Sequence, residues 1–205
     1  MRILLVDDHA IVRTGLRNLL TSVSDNQISE AATGRDAMLR LRQDRPHLVL
    51  LDLNLPGIGG LELLRRMLLE DKAARILVLS MHAEPLYAGL AMALGARGYL
   101  SKNASAEELL TAVRRVAEDG RYIENEIAQE LALQKVAPGC GLQDLTERDL
   151  EIMRLLAEGL SLAEFADALG IGYKTAANTC SHIKAKLGVT RTNDLVRLAM
   201  TLGVA

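Results

Sequence analysis

The chain has 205 residues, with 24 basic and 26 acidic side chains and a formal charge of −2 at pH 7, which excludes a uniformly basic nucleic-acid coat and a disordered polyanion. Hydrophobic residues make up 49% and charged residues 24%, the balance of a folded soluble chain, and the length suits one large domain or two small ones. With one Phe, four Tyr and no Trp, the core must be aliphatic, and a single-strand platform of stacked rings is not expected. Cys140 and Cys180 are too few for a disulfide scaffold and lack metal-ligand partners at zinc spacing, which suits a reducing cytoplasm. The start is no signal peptide, because Asp7 and Asp8 follow the first apolar run, and no run of about 18 apolar residues could span a bilayer. A soluble, cytoplasmic protein without a membrane partner is therefore expected.

From residue 1 to about 120, short apolar runs alternate with segments of helical period. Residues 3–6 precede a helix over 10–20, 48–51 precede 60–70, 76–79 precede 85–94, and 98–100 precede 106–118. The weakest strand is placed at 27–31. Runs such as Leu48-Val49-Leu50-Leu51 are apolar at consecutive positions, as strands buried on both faces require, so the pattern predicts a five-stranded parallel sheet with helices on each side. Ser105-Ala106-Glu107-Glu108 reads as a capping box ahead of the last helix, and Gly120 ends it.

Residues 121–144 are expected to form a linker with a short helix around 124–136, followed by the breaker cluster Pro138-Gly139-Cys140-Gly141. From 145 to 205 the chain shows four helical segments punctuated by Gly159, Gly170 and Gly188. Ser161-Leu162-Ala163-Glu164 is a second capping box. In the segment 174–187, Ala176, Cys180, Ile183 and Leu187 share one face and leave the other polar. Helix, glycine turn, helix is the helix-turn-helix pattern of a small all-α domain.

The chemistry-bearing residues of the first domain fall at strand ends. Asp7 and Asp8 follow the first strand, Asp52 ends the third, Ser80 the fourth and Lys102 the fifth. All five then lie at the C-terminal edge of a parallel sheet, where such sheets bind ligands. Adjacent carboxylates repel one another, and a hard cation such as Mg²⁺ relieves that repulsion. Solvated acids capping a helix, a surface lysine and an idle hydroxyl would explain these residues singly. Together they complement a phosphoryl group: a carboxylate nucleophile, a metal and an ammonium to neutralise its oxygens, and a hydroxyl donor.

With Val6-Asp7-Asp8-His9, Leu51-Asp52-Leu53-Asn54-Leu55-Pro56-Gly57, Ser80 and Gly95-Ala96-Arg97-Gly98-Tyr99-Leu100-Ser101-Lys102, residues 1–120 resemble the receiver domain of two-component response regulators. The resemblance implies a flavodoxin-like strand order 2-1-3-4-5. It implies that Asp52 takes phosphate from a sensor histidine kinase and that Asp8, Asp52 and the Asn54 carbonyl ligate Mg²⁺, with Asp7 assisting through water. Ser80 and Tyr99 would form the switch pair, the ring turning inward. Leu55 stands where many members carry Met, a change that conserves volume.

Residues 145–199 are similar to the four-helix DNA-binding domain of the NarL/FixJ and LuxR regulators, on Thr146-Glu147-Arg148, Leu155-Leu156-Ala157-Glu158-Gly159, Leu169-Gly170-Ile171, Lys174-Thr175 and Lys186-Leu187-Gly188-Val189. The resemblance makes 174–187 the recognition helix for double-stranded DNA and the last helix, 193–202, the contact of a homodimer formed on phosphorylation. Residues 172–191 hold Lys174, Lys184, Lys186 and Arg191 and no acid, so this is the expected phosphate-facing side.

Two departures stand out. Asp149 replaces the usual Glu and is one methylene short for the same reach. The recognition helix carries few strong base readers, leaving Thr175, Asn178, Ser181 and His182. The reading is a phosphorylation-dependent transcriptional regulator, itself not an enzyme beyond self-phosphorylation from small donors and autodephosphorylation. Its rivals are an adaptor whose helical domain contacts another protein and a metal-dependent phosphohydrolase. The latter would want an acid where Asn54 stands.

Overall fold

The computed structural model describes residues 1–81, 85–134 and 145–202. Contacts divide the chain into two units, Met1–Leu131 and Ala132–Ala205. In the first unit β1 (Arg2–Val6), α1 (Ala10–Val23), β2 (Gln27–Ala31), α2 (Gly34–Asp44), β3 (Leu48–Asp52), α3 (Gly60–Glu70), β4 (Ile76–Ser80), α4 (Pro85–Leu94), β5 (Gly98–Ser101) and α5 (Ala106–Ala117) alternate strictly, followed by β6 (Tyr122–Ile123) and α6 (Asn125–Gln134). The strands pair in parallel in the order β2-β1-β3-β4-β5-β6.

Consecutive apolar residues in β1, β3 and β4 serve two cores at once. Ile3, Leu5, Leu48, Leu50, Leu77 and Leu79 pack with Leu20, Leu109, Val113 and Val116 of α1 and α5. The alternate positions Leu4, Val6, Val49, Leu51 and Val78 are equally buried, which the pleat assigns to the opposite face. At about 25 cal/mol per Å² of apolar surface removed from water, this two-sided burial is a main source of stability for the central strands. The order places β1 beside β3, so the residues at their C-terminal ends meet.

The sheet has six strands where five are expected. β6 pairs Tyr122 with Gly98 and Ile123 with Tyr99. A Cβ at Gly98 would come 2.7 Å from Leu77 Cδ1 and 3.0 Å from Tyr122 O, so glycine is what lets the last strand approach. The Tyr122 hydroxyl donates to Glu108 Oε1 at 3.0 Å, which ties β6 to α5. This modifies the expected capping box: Ser105 Oγ accepts the Glu108 N–H at 3.2 Å, while the Glu108 carboxylate takes the tyrosine. Burial, together with that carboxylate, pushes the Tyr122 phenol up to about 12. β6 and α6 occupy part of the stretch expected as linker; the cluster Pro138-Gly139-Cys140-Gly141 lies outside the described residues.

The second unit consists of α7 (Glu147–Ala157), α8 (Leu162–Ala168), α9 (Tyr173–Leu187) and α10 (Thr192–Leu202), with α7 packed mainly on α10 and α8 on α9. Gly170 and Gly188, at φ of 65° and 67°, end α8 and α9 in left-handed turns that residues with a Cβ rarely adopt. The Ser161–Glu164 capping box is present. So is a second box that overturns the expectation of a reach too short at Asp149. Its Oδ2 accepts the Thr146 N–H at 2.9 Å, Thr146 Oγ1 accepts the Asp149 N–H at 3.2 Å, and Lys186 Nζ of α9 lies 2.7 Å from the same Oδ2. Within one helical turn the shorter acid suffices. Burial alone would raise the Asp149 carboxyl, but the Lys186 ammonium and the Thr146 donor hold it below the usual carboxylate range.

Candidate functional site

The acidic pocket is built from three strand ends. β1 delivers Asp7 and Asp8, β3 delivers Asp52, and β5 leads through Ser101 to Lys102. Lys102 Nζ lies 2.6 Å from Asp7 Oδ2 and 2.7 Å from Asp52 Oδ2, bridging two carboxylates whose side chains are only 3% and 1% exposed. Burial would pull the ammonium down, yet hydrogen bonds and charge from Asp52 and Asp7 more than reverse this, so its pKa is raised. The opposite Asp52 oxygen accepts the Asn54 N–H at 3.0 Å, which fixes the carboxylate plane.

Asp8 differs from its neighbours. Its side chain is 32% exposed, and although His9 Nδ1 lies 2.8 Å from Oδ1, that buried oxygen has no hydrogen bond of acceptable geometry. Ligand atoms of Asp7, Asp8, His9 and Asp52 all fall within 4.8 Å of one another. An under-satisfied carboxylate oxygen beside two further carboxylates is a donor set suited to a hard divalent cation. The residues therefore fit the Mg²⁺ that the sequence suggests.

Ser80 is fully buried, and its carbonyl accepts the Lys102 N–H at 2.8 Å, so the hydroxyl-bearing residue and the lysine share one corner of the sheet. Tyr99 pairs with Val78 and Ile123 and is 0% exposed, so its ring is already inward. Lys102, Asp7, Asp8, Asp52 and Ser80 are thus brought together at one edge, as their positions after apolar runs predict.

In the second unit, Ala176, Cys180, Ile183 and Leu187 form the buried face of α9. Lys174, Thr175, Asn178, Ser181 and His182 are exposed, as is Arg191 beyond the helix. Cys180 is buried and His182 exposed, so the two side chains lie in different environments. Two side chains have commitments that the sequence does not show: Ser181 Oγ donates to Ala177 O at 3.0 Å, leaving it as an acceptor, and Lys186 is paired to Asp149 at 2.7 Å. Lys184 is half-buried.

The family model of the response regulator receiver domain matches residues 3–114, and that of the luxR family of bacterial regulatory proteins matches residues 143–199. Along 100% of its length the chain is 34% identical to response regulator UvrY of Escherichia coli strain K12, spanning 95% of that protein. It is 39% identical to the transcriptional activator protein ExaE of Pseudomonas putida, spanning 98% of it. The chain belongs to the LuxR-type response regulators. A LuxR-family response regulator from Aurantimonas sp. SI85-9A1 superposes with a TM-score of 0.63 at 39% identity, over 66% of this chain and 98% of that one. The fold also follows RcsB of Salmonella enterica serovar Typhimurium, solved on promoter P1flhDC with the phosphomimetic BeF3−, at a TM-score of 0.82, 23% identity and 98% coverage of both chains.

Three residues of this response regulator have site positions that its sequence does not assign. His9, in sequence only a part of the receiver motif, sits on the rim of the acid cluster, 65% exposed. Arg13 donates to the Asp7 carbonyl. Tyr173, 60% exposed in the first turn of α9, adds a ring and a hydroxyl beside Lys174. Helical period alone assigns Tyr173 to the flank of the buried face near Ala176, which is why its exposure is not legible.

Proposed function

We propose that Asp52 accepts a phosphoryl group from a sensor histidine kinase and that the modification governs dimerisation and DNA binding by this regulator. One observation carries the reading: a buried Asp52 carboxylate held by Lys102 at 2.7 Å beside two further acids. Asp52 Oδ attacks phosphorus and the kinase imidazole departs, so the nucleophile must be aimed; the Asn54 N–H and Lys102 hold its carboxylate in place. Asp8, Asp52 and the Asn54 carbonyl would hold Mg²⁺, with Asp7 assisting through water. Bound there, the ion offsets the negative charge that the phosphoryl oxygens bring. Lys102 would pair with one such oxygen and Ser80 donate to another, while Tyr99 packs behind it. The chain is a phosphoacceptor and not a turnover enzyme; its own chemistry extends to uptake from small donors and loss of its phosphoryl group. It works in the cytoplasm, where kinase and chromosome meet, and no described helix is long and apolar enough to cross a membrane.

The boundaries that serve this function are a receiver over 1–120, a linker over 121–144 and a DNA-binding domain over 145–205. Lys174, Thr175, Asn178, Ser181, His182, Lys184 and Arg191 would meet double-stranded DNA, with Asn178 the strongest base reader, and a homodimer would present two such helices to paired half-sites. Lys186, held by Asp149, contributes less than its charge suggests. Its commitment and that of Ser181 favour a second reading, an adaptor with weakened DNA binding.

Intact-mass spectrometry after incubation with acetyl phosphate and Mg²⁺ tests the phosphoacceptor: the wild type gains one phosphoryl group and Asp52→Asn gains none. The same adduct on Asp52→Asn would refute the assignment.

A further inference from the structure

We propose that Arg13 is a positioning residue for the acidic pocket: its guanidinium, braced by Glu30, holds the Asp7 carbonyl and so aims Asp8 at the cation. The inference rests on the reading of the acid cluster as a Mg²⁺ site. Every polar atom of Asp7 is tied. Its N–H donates to Ala31 O at 3.2 Å, Oδ1 accepts the His9 N–H at 2.8 Å, Oδ2 accepts Lys102, and its carbonyl accepts Arg13 Nη1 at 2.6 Å. That carbonyl belongs to the peptide joining Asp7 to Asp8, so fixing it fixes the backbone from which the Asp8 side chain departs. Asp8 needs such help, because its buried Oδ1 has only the exposed His9 ring beside it, at 2.8 Å, and no well-directed hydrogen bond.

Arg13 is suited to this by its fork. Only 15% exposed on α1, it sends Nη1 to the carbonyl and Nε to Glu30 Oε2 at 3.0 Å. Glu30 stands on β2 opposite Leu5, and its other oxygen takes Arg17 Nη2 at 2.6 Å. The edge strand β2, the first helix and the segment that follows β1 are thereby joined through one side chain. Glu30 also offsets the charge of Arg13, so the guanidinium is not simply a cation set against another cation. A lysine would have to serve both acceptors from a single nitrogen, whereas Arg13 uses two separate nitrogens of a planar fork.

Partners one step behind the ligands alter metal affinity by about 10- to 100-fold when removed. The sign separates positioning from charge, since deleting a nearby cation would by itself tighten Mg²⁺ binding. Titration calorimetry with MgCl₂ and no phosphodonor, on wild type, Arg13→Gln and Arg13→Lys, reads this directly, with thermal melts to confirm folding. Arg13→Gln should bind Mg²⁺ about 10-fold more weakly or worse, and Arg13→Lys should recover only part of the loss. If Arg13→Gln does not fold, Arg13→Lys carries the test, and it must still weaken binding several-fold. Wild-type or tighter affinity in the folded variant overturns the role of Arg13 alone. Absence of Mg²⁺ binding by the wild type overturns the metal reading and this inference with it.

Discussion

Lys102 is where the charge balance of the pocket turns. Its ammonium compensates two buried carboxylates, and removing it takes from both their shared, closest ion-pair partner. Lys102→Met should therefore lose roughly 3 kcal/mol in urea unfolding without Mg²⁺. Millimolar Mg²⁺ should return part of that loss, because the ion replaces the ammonium; equal stability of variant and wild type without metal would contradict the account. The raised pKa of Lys102 sets the pH range. A base whose folded pKa exceeds its unfolded value, about 10.4, contributes fully below that value and loses its contribution as pH rises through the folded one. The gap between wild type and Lys102→Met should hold at neutral pH and close only in strong alkali. Asp7, Asp52 and Lys102 are legible in the sequence because each terminates an apolar run. Arg13 and Glu30 are not, since their partners are a carbonyl and a guanidinium brought together only by the β1–β2 register.

At the scale of elements, the Asp149–Lys186 pair joins the start of α7 to the end of α9. With Asp149 side-chain exposure at 8% and Lys186 at 33%, the pair is partly screened, and Lys186→Met should cost the second unit about 1–3 kcal/mol, read by thermal melting. Asp149 is an acid whose folded pKa is lowered, so its contribution is present above the unfolded value of about 3.9 and is lost as pH falls through the folded one. Acid titration of the helical signal should show a step in that window that Asp149→Asn lacks. Capping boxes and glycine stops make the four helices readable from sequence, whereas the tie between α7 and α9 crosses the unit and leaves no local pattern. β6 is missed for a different reason, as two residues are too few to show alternation. Gly98→Ala tests its pairing: the added Cβ meets Leu77 and the Tyr122 carbonyl, and a loss of roughly 1–3 kcal/mol in melting is expected.

For the whole molecule, the claim is that the phosphoryl state of one unit governs the DNA affinity of the other. With Lys186 tied to Asp149, Lys174, Lys184 and Arg191 remain for phosphates. The log-log salt slope should be roughly −3 per protomer and about twice that for a dimer, shallower than the four cations of the sequence suggest. Asn178→Ala should lose roughly 1–3 kcal/mol on the preferred sequence and little on random DNA, since a base contact discriminates and a phosphate contact does not. The most direct measurement of the central claim is the affinity of the full chain for fragments selected from genomic DNA, by fluorescence anisotropy at physiological salt, with and without acetyl phosphate and Mg²⁺. The account predicts that phosphorylation tightens sequence-specific binding by the wild type and leaves Asp52→Asn unchanged. Binding that is indifferent to the phosphodonor, or a phosphorylated protein with no sequence preference, would contradict it and favour the adaptor.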